Sequence, residues 1–129
     1  MRSILIIDDD PAGSQLLMTL LRLEGYQAYQ LENWKDPVSD VDRIRPDLVL
    51  MDVYLQNRNG LDLLRQLRAH SYPDVARTPV LMISAEDQAA RCQRAGANAF
   101  LEKPFGIQDL VATILEIEEE VKESLNERV

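Results

Sequence analysis

Short continuous apolar runs alternate along this chain with longer stretches of helical period, the pattern of βα units wound around a parallel sheet. Ser3–Ile7 is the first predicted strand. Pro11 and Gly13 follow it, and Leu16, Leu17, Leu20, Leu21 and Leu23 then recur at helical spacing until Gly25 stops the helix. Residues 26–31 form the second predicted strand. Asp36 is placed to cap a second helix, with Pro37 at its first position and Val38, Val41 and Ile44 facing inward, and Pro46 ends it. Residues 48–51 make a third strand, 60–69 a helix carrying Leu61, Leu64 and Leu67, and 79–83 a fourth strand. Residues 88–95 are the fourth helix, closed by Gly96. Residues 99–101 are a short fifth strand, and a last helix starts at Ile107.

Five such units predict an α/β fold, a (βα)5 sandwich of three layers with five helices. Right-handed crossovers leave few ways to wind five parallel strands, and the flavodoxin-like order 2-1-3-4-5 is the common one. Neither an internal repeat nor a low-complexity linker interrupts the 129 residues, which suit one domain. With 46% hydrophobic residues the chain can bury a core without disulfides, which a single cysteine, Cys92, excludes within the chain. The formal charge of −8 argues against a surface built for nucleic acid or anionic lipid. Half of it lies in residues 116–129, which hold six acids and two bases. The apolar runs are too short to span a bilayer and no leader precedes the first, so a cytoplasmic location is expected.

In an open α/β sheet the ligand site lies beyond the carboxyl ends of the strands. Here the first strand ends in Asp8, Asp9 and Asp10, the third in Asp52, the fourth in Ser84, and the fifth in Glu102, Lys103 and Pro104. Converging carboxylates repel unless a cation sits among them. Oxygen donors without His or Cys suit Mg²⁺ or Mn²⁺, and Mg²⁺ commonly shares its sphere with a phosphate oxygen. Lys103 and Ser84 would contact phosphoryl oxygens, leaving one carboxylate as nucleophile. Such a set suits the making and breaking of an aspartyl phosphate.

These residues, in this order, resemble the receiver domain of two-component response regulators over residues 1–118. The resemblance implies a switch that takes a phosphoryl group from a sensor histidine kinase or phosphotransfer protein onto Asp52. It implies that Asp9 binds Mg²⁺ directly and Asp8 through water, that Asp52 and the Tyr54 carbonyl complete the metal sphere, and that the Ser84 hydroxyl meets the phosphoryl group. Lys103-Pro104 matches the lysine with its cis-proline bond, Gly60 the glycine that opens the third helix, and Phe100 the rotating aromatic. Tyr54 and Glu86 match the two variable positions flanking the site, where a bulky ring is expected to hinder attacking water. Gln56 departs from the pattern, standing where proline is usual. The implied output is a moved face formed by the fourth helix, fifth strand and fifth helix. The chemistry is a regulatory phosphoacceptor's, with weak self-catalysed transfer and autodephosphorylation, rather than an enzyme's.

The remaining singular residues have plainer expectations. Asp10 suits an N-cap, Cys92 an inert helix position, His70 a solvated helix end, and Trp34 a loop ring over the second helix. Leu110, Ile114, Ile117 and Val121 keep a 4-3-4 spacing that outruns the sheet, so residues 119–129 are an acidic extension that either frays or links to an output domain or a second copy. Two alternatives stand. A haloacid-dehalogenase-type phosphatase shares Asp8 and Asp10 but lacks the residue expected at Ala12 and an acidic pair after the lysine. A pseudo-receiver that never takes phosphate would not need the acidic set.

Overall fold

A computed structural model describes residues 2–127 of the chain. In chain order the elements are β1 (Ser3–Ile7), α1 (Pro11–Leu23), β2 (Gln27–Gln30), α2 (Pro37–Ile44), β3 (Leu48–Asp52), β4 (Tyr54–Leu55), β5 (Arg58–Asn59), α3 (Gly60–Arg68), α4 (Pro73–Ala76), β6 (Val80–Ser84), α5 (Ala89–Ala95), β7 (Ala99–Glu102) and α6 (Ile107–Glu127). The five main strands pair in the order β2-β1-β3-β6-β7, all parallel. This is the predicted 2-1-3-4-5 winding, because β4 and β5 form a separate antiparallel hairpin. That hairpin and the single turn of α4 are additions to the predicted five strands and five helices. Both are too short to carry a period.

The strand pattern explains why the sheet is covered on both sides. Alternate side chains of a strand point to opposite faces. Leu5 and Ile7, Val49 and Met51, and Val80 and Met82 pack with α2, α3 and α5 residues such as Val41, Leu64 and Cys92. Ile4 and Ile6, Leu48 and Leu50, and Leu81 and Ile83 pack with Met18 and Leu21 of α1 and Leu110, Ile114 and Ile117 of α6. In α1 the inward face differs from expectation. Leu16 and Leu23 lie exposed, while Ser14, Met18 and Leu21 are buried. The run of leucines covers most of the helix circumference, so their density hides which stripe faces the sheet.

Polar clamps hold the end of the sheet where its strands begin. The Asp47 carboxylate accepts from the Arg2 and Ser3 amides at 2.9 and 3.0 Å and from the Ser3 hydroxyl at 3.1 Å. Arg68, at the end of α3, donates to the carbonyls of Gly96, Ala76 and Thr78 at 3.0, 2.9 and 2.7 Å and to Asn98 Oδ1 at 3.1 Å. One guanidinium thus ties α3, α4 and the turn between α5 and β7. The opposite end, where the strands finish, carries the polar loops. α6 outruns the sheet: its 21 residues extend about 31 Å, nearly twice the roughly 17 Å of a five-residue strand. Val121 still packs on the core, whereas Leu125 is exposed.

Candidate functional site

Asp52 is the last residue of β3 and is buried, 7% exposed. Its Oδ2 accepts from Lys103 Nζ at 2.6 Å, and its Oδ1 accepts from the Tyr54 amide at 3.0 Å. Lys103 follows β7, and its own amide donates to the Ser84 carbonyl at 2.7 Å, which keeps the β6 and β7 ends in step. The Lys103–Pro104 peptide is cis. Ser84 closes β6 and is fully buried, with its hydroxyl oxygen accepting from the Glu86 amide at 3.2 Å. The hydroxyl proton is left to point elsewhere. Gly60 is needed where it stands, because a Cβ there would overlap the Asp52 carbonyl oxygen. Its amide donates to the Val53 carbonyl at 2.7 Å, drawing α3 against the end of β3.

Asp8 lies at the end of β1, 8% exposed, with Oδ1 accepting from the Asp10 amide at 3.0 Å. Burial raises the Asp8 carboxyl pKa. The Asp10 amide and the Lys103 charge oppose that rise, the charges of Asp52 and Asp10 add to it, and the balance stays upward. Burial pulls the Lys103 ammonium down, yet the hydrogen bond and charge of Asp52, followed by the charges of Asp8 and Asp10, more than offset it. Lys103 therefore stays protonated among acids.

The expected meeting of three carboxylates is only partly realised. Asp9 turns an oxygen to the Gln56 amide, and among the described residues no three acidic, His or Cys side chains gather into a ready-made metal cage. Mg²⁺ does not require one, since it binds through one or two carboxylates and keeps its waters. Asp8, desolvated beside Asp52 with one oxygen uncommitted, has the donor chemistry for such an ion. Asp8 and Asp9 open onto a cleft lined also by Trp34 and Arg58.

Around this centre the flanking residues form a network that the sequence does not reveal. The Tyr54 hydroxyl lies 3.4 Å from Glu86 Oε2 and accepts from Gln88 Nε2 at 2.9 Å, and Arg91 donates to Gln88 Oε1 at 3.0 Å. Gln88 and Arg91 are read from sequence only as helix residues, since a contact spanning 34 positions leaves no local signal. Arg58 is likewise unforeseen. It donates to the Lys35 carbonyl at 2.9 Å and pins the β4–β5 hairpin to the loop before α2. Phe100 is half-buried in β7 and packs on the core face shared with α5. Cys92 is fully buried, with its thiol pKa pushed up by burial. The His70 ring nitrogen accepts from the Tyr72 amide at 3.0 Å.

Comparison with known proteins bears on this arrangement. Residues 4–115 match the family model described as the response regulator receiver domain. The DNA-binding response regulator MtrA of Mycolicibacterium smegmatis is 34% identical over 114 residues, covering 86% of this chain and 48% of its own length. The chain thus spans about half the length of the curated relatives it matches. The signal receiver domain of a signal transduction histidine kinase from Syntrophus aciditrophicus superposes with a TM-score of 0.80 at 28% identity, covering 95% of this chain and 93% of that one. The chemotaxis response regulator CheY4 of Vibrio cholerae, at 23% identity, shares the fold with a TM-score of 0.80 over 91% of this chain and 98% of its own. No helix among the described residues is long and apolar enough to cross a membrane. The family match favours the receiver reading over the phosphatase alternative, and by it this chain belongs to the response regulator receiver domains of two-component signal transduction.

Proposed function

We propose that this domain is a phosphorylation-dependent switch that accepts a phosphoryl group on Asp52 from a histidine kinase or phosphotransfer protein. One observation carries the reading: a buried carboxylate at a strand end is bonded to a lysine at 2.6 Å while a second buried carboxylate crowds it. In the reaction an Asp52 oxygen attacks phosphorus, the bond from phosphorus to the donor's imidazole nitrogen breaks, and the electron pair leaves with that nitrogen. Lys103 leaves Asp52 for the phosphoryl oxygens and offsets their charge. Ser84, whose oxygen already accepts from Glu86, donates its proton to a phosphoryl oxygen. Asp8, Asp9, Asp52 and the Tyr54 carbonyl are the groups that would hold Mg²⁺ or Mn²⁺. When bound, that ion neutralises charge on the phosphoryl oxygens.

Drawing Ser84 inward would move α5, β7 and α6, with Phe100 repacking, and that face is the surface a partner or second copy would read. Residues 119–129 would then connect this domain to an output region or to another protomer. The longer relative whose name includes DNA binding supports an output of that kind. Acetyl phosphate with Mg²⁺ should add one phosphoryl mass to the protein, and Asp52→Asn should abolish the gain. Turnover of phosphomonoesters without a stable adduct would support the phosphatase, and an unmodified parent would make the domain a binding module.

A further inference from the structure

The bonds made by Gln88 have no part in the chemistry above. Gln88 stands immediately before α5, where a short polar side chain would ordinarily cap the helix. Its side chain makes no capping bond and is buried instead, 9% exposed. Its Nε2 donates to the Tyr54 hydroxyl at 2.9 Å and, more weakly, to Glu86 Oε2 at 3.4 Å. Its Oε1 accepts from Arg91 at 3.0 Å. Arginine is a donor only, so the amide has one chemically sensible orientation, with its nitrogen toward Tyr54. Tyr54 is bonded through its own amide to Asp52, and Glu86 through its amide to Ser84. One connected set of bonds therefore crosses from the loop after β3 to the loop after β6, over the two residues whose chemistry is at issue.

We propose that Gln88 is a positioning residue, oriented by Arg91, that holds the Tyr54 ring across the mouth of the Asp52 site and so limits how fast a phosphodonor reaches the acceptor. This rests on Asp52 being the acceptor. The two halves of the contact differ in freedom. Gln88 is buried and fixed at both ends of its amide, whereas Tyr54 is 49% exposed and, once that bond is lost, keeps only the 3.4 Å contact of its hydroxyl with Glu86. A neutral hydrogen bond of this kind biases a two-state equilibrium by about fivefold. That bias keeps the ring in place most of the time without sealing the site.

Phosphoryl uptake from acetyl phosphate in Mg²⁺, followed by intact-protein mass, should be compared in the parent, Gln88→Leu, Tyr54→Phe and the double variant. Gln88→Leu should raise the initial rate by about threefold, as the open fraction goes from about one sixth to about one half, and Tyr54→Phe by at least as much. The double variant should be no faster than Tyr54→Phe alone, because Tyr54→Phe already removes the bond to Gln88 along with the longer one to Glu86. Effects that multiply in the double variant, or an unchanged rate in Gln88→Leu, overturn the proposal. A ¹³C label on the tyrosine rings reads the contact without phosphoryl chemistry. The signal lost in Tyr54→Phe should shift in Gln88→Leu, and a signal that stays put overturns the proposal as well. A parent that gains no phosphoryl mass overturns the acceptor reading itself, while the ring signal still decides whether Gln88 holds Tyr54.

Discussion

Gln56 governs what Asp9 is free to do. Its amide donates to the Asp9 carboxylate, and a proline, the residue usual at this position in the resembled pattern, has no N–H to offer. If Asp9 is the direct metal ligand, Gln56→Pro should tighten Mg²⁺ binding by about threefold to tenfold, since an amide no longer competes for the carboxylate. Trp34 lines the same cleft as Asp9, so a fluorescence titration with Mg²⁺ measures the effect. Equal affinities in the two proteins would remove the competition argument. That Asp52 and Lys103 come to one edge of the sheet is legible in the sequence, because each polar residue closes an apolar run; that they bond each other is seen only in the fold. The Asp9–Gln56 bond is not legible, because a backbone amide has no residue-type signature. The Gln88 contacts are hidden for a related reason, since a glutamine two residues beyond Glu86 looks like any helix start.

Among the elements, α2 shows how an acid can serve structure rather than chemistry. Asp36 caps it through the Ser39 amide, as its position ahead of Pro37 predicts. Asp40, 3% exposed, faces back and accepts from the amides of Glu32 and Asn33, both at 2.9 Å, and from Arg43. Burial works to raise the Asp40 carboxyl pKa, but the Asn33 and Glu32 amides and then Arg43 outweigh it and hold it below the ordinary range. A depressed folded-state pKa contributes stability that is present above the unfolded value of about 3.9 and is lost as pH falls through the folded one. Asp40→Ala should therefore cost about 1–3 kcal/mol at pH 7. The gap from the parent should narrow as pH falls below the ordinary carboxylate range, read from urea midpoints across that range. A gap of constant size would mean that the charge of Asp40 does not matter. The central strands β1, β3 and β6 are legible because buried parallel strands are nearly unbroken apolar runs. The β4–β5 hairpin and α4 are not, since two or four residues are too few to show a period, and these elements exist through contacts such as that of Arg58 with Lys35.

For the molecule as a whole, the winding is legible because alternating βα units and right-handed crossovers admit few arrangements. The uneven firmness of its two ends is not legible, because it depends on which side chains reach which carbonyls. Arg68→Met should lower stability by about 2–3 kcal/mol, since it strips a charged donor from three carbonyls and Asn98 at once. An unchanged urea midpoint would show that water replaces those bonds without loss. The same clamp changes the mechanics of α5. Its far end is fastened at Gly96 by a charged, multiply bonded guanidinium, and its near end is tied across to the loop after β3 by the single neutral bond of Gln88 to Tyr54. On the proposed switch, a helix fastened so unequally would turn as a lever, with Gly96 as the fulcrum and the near end swinging on release at Tyr54. A displacement of one loop at the sheet's edge would thereby become a rotation of the surface beside it.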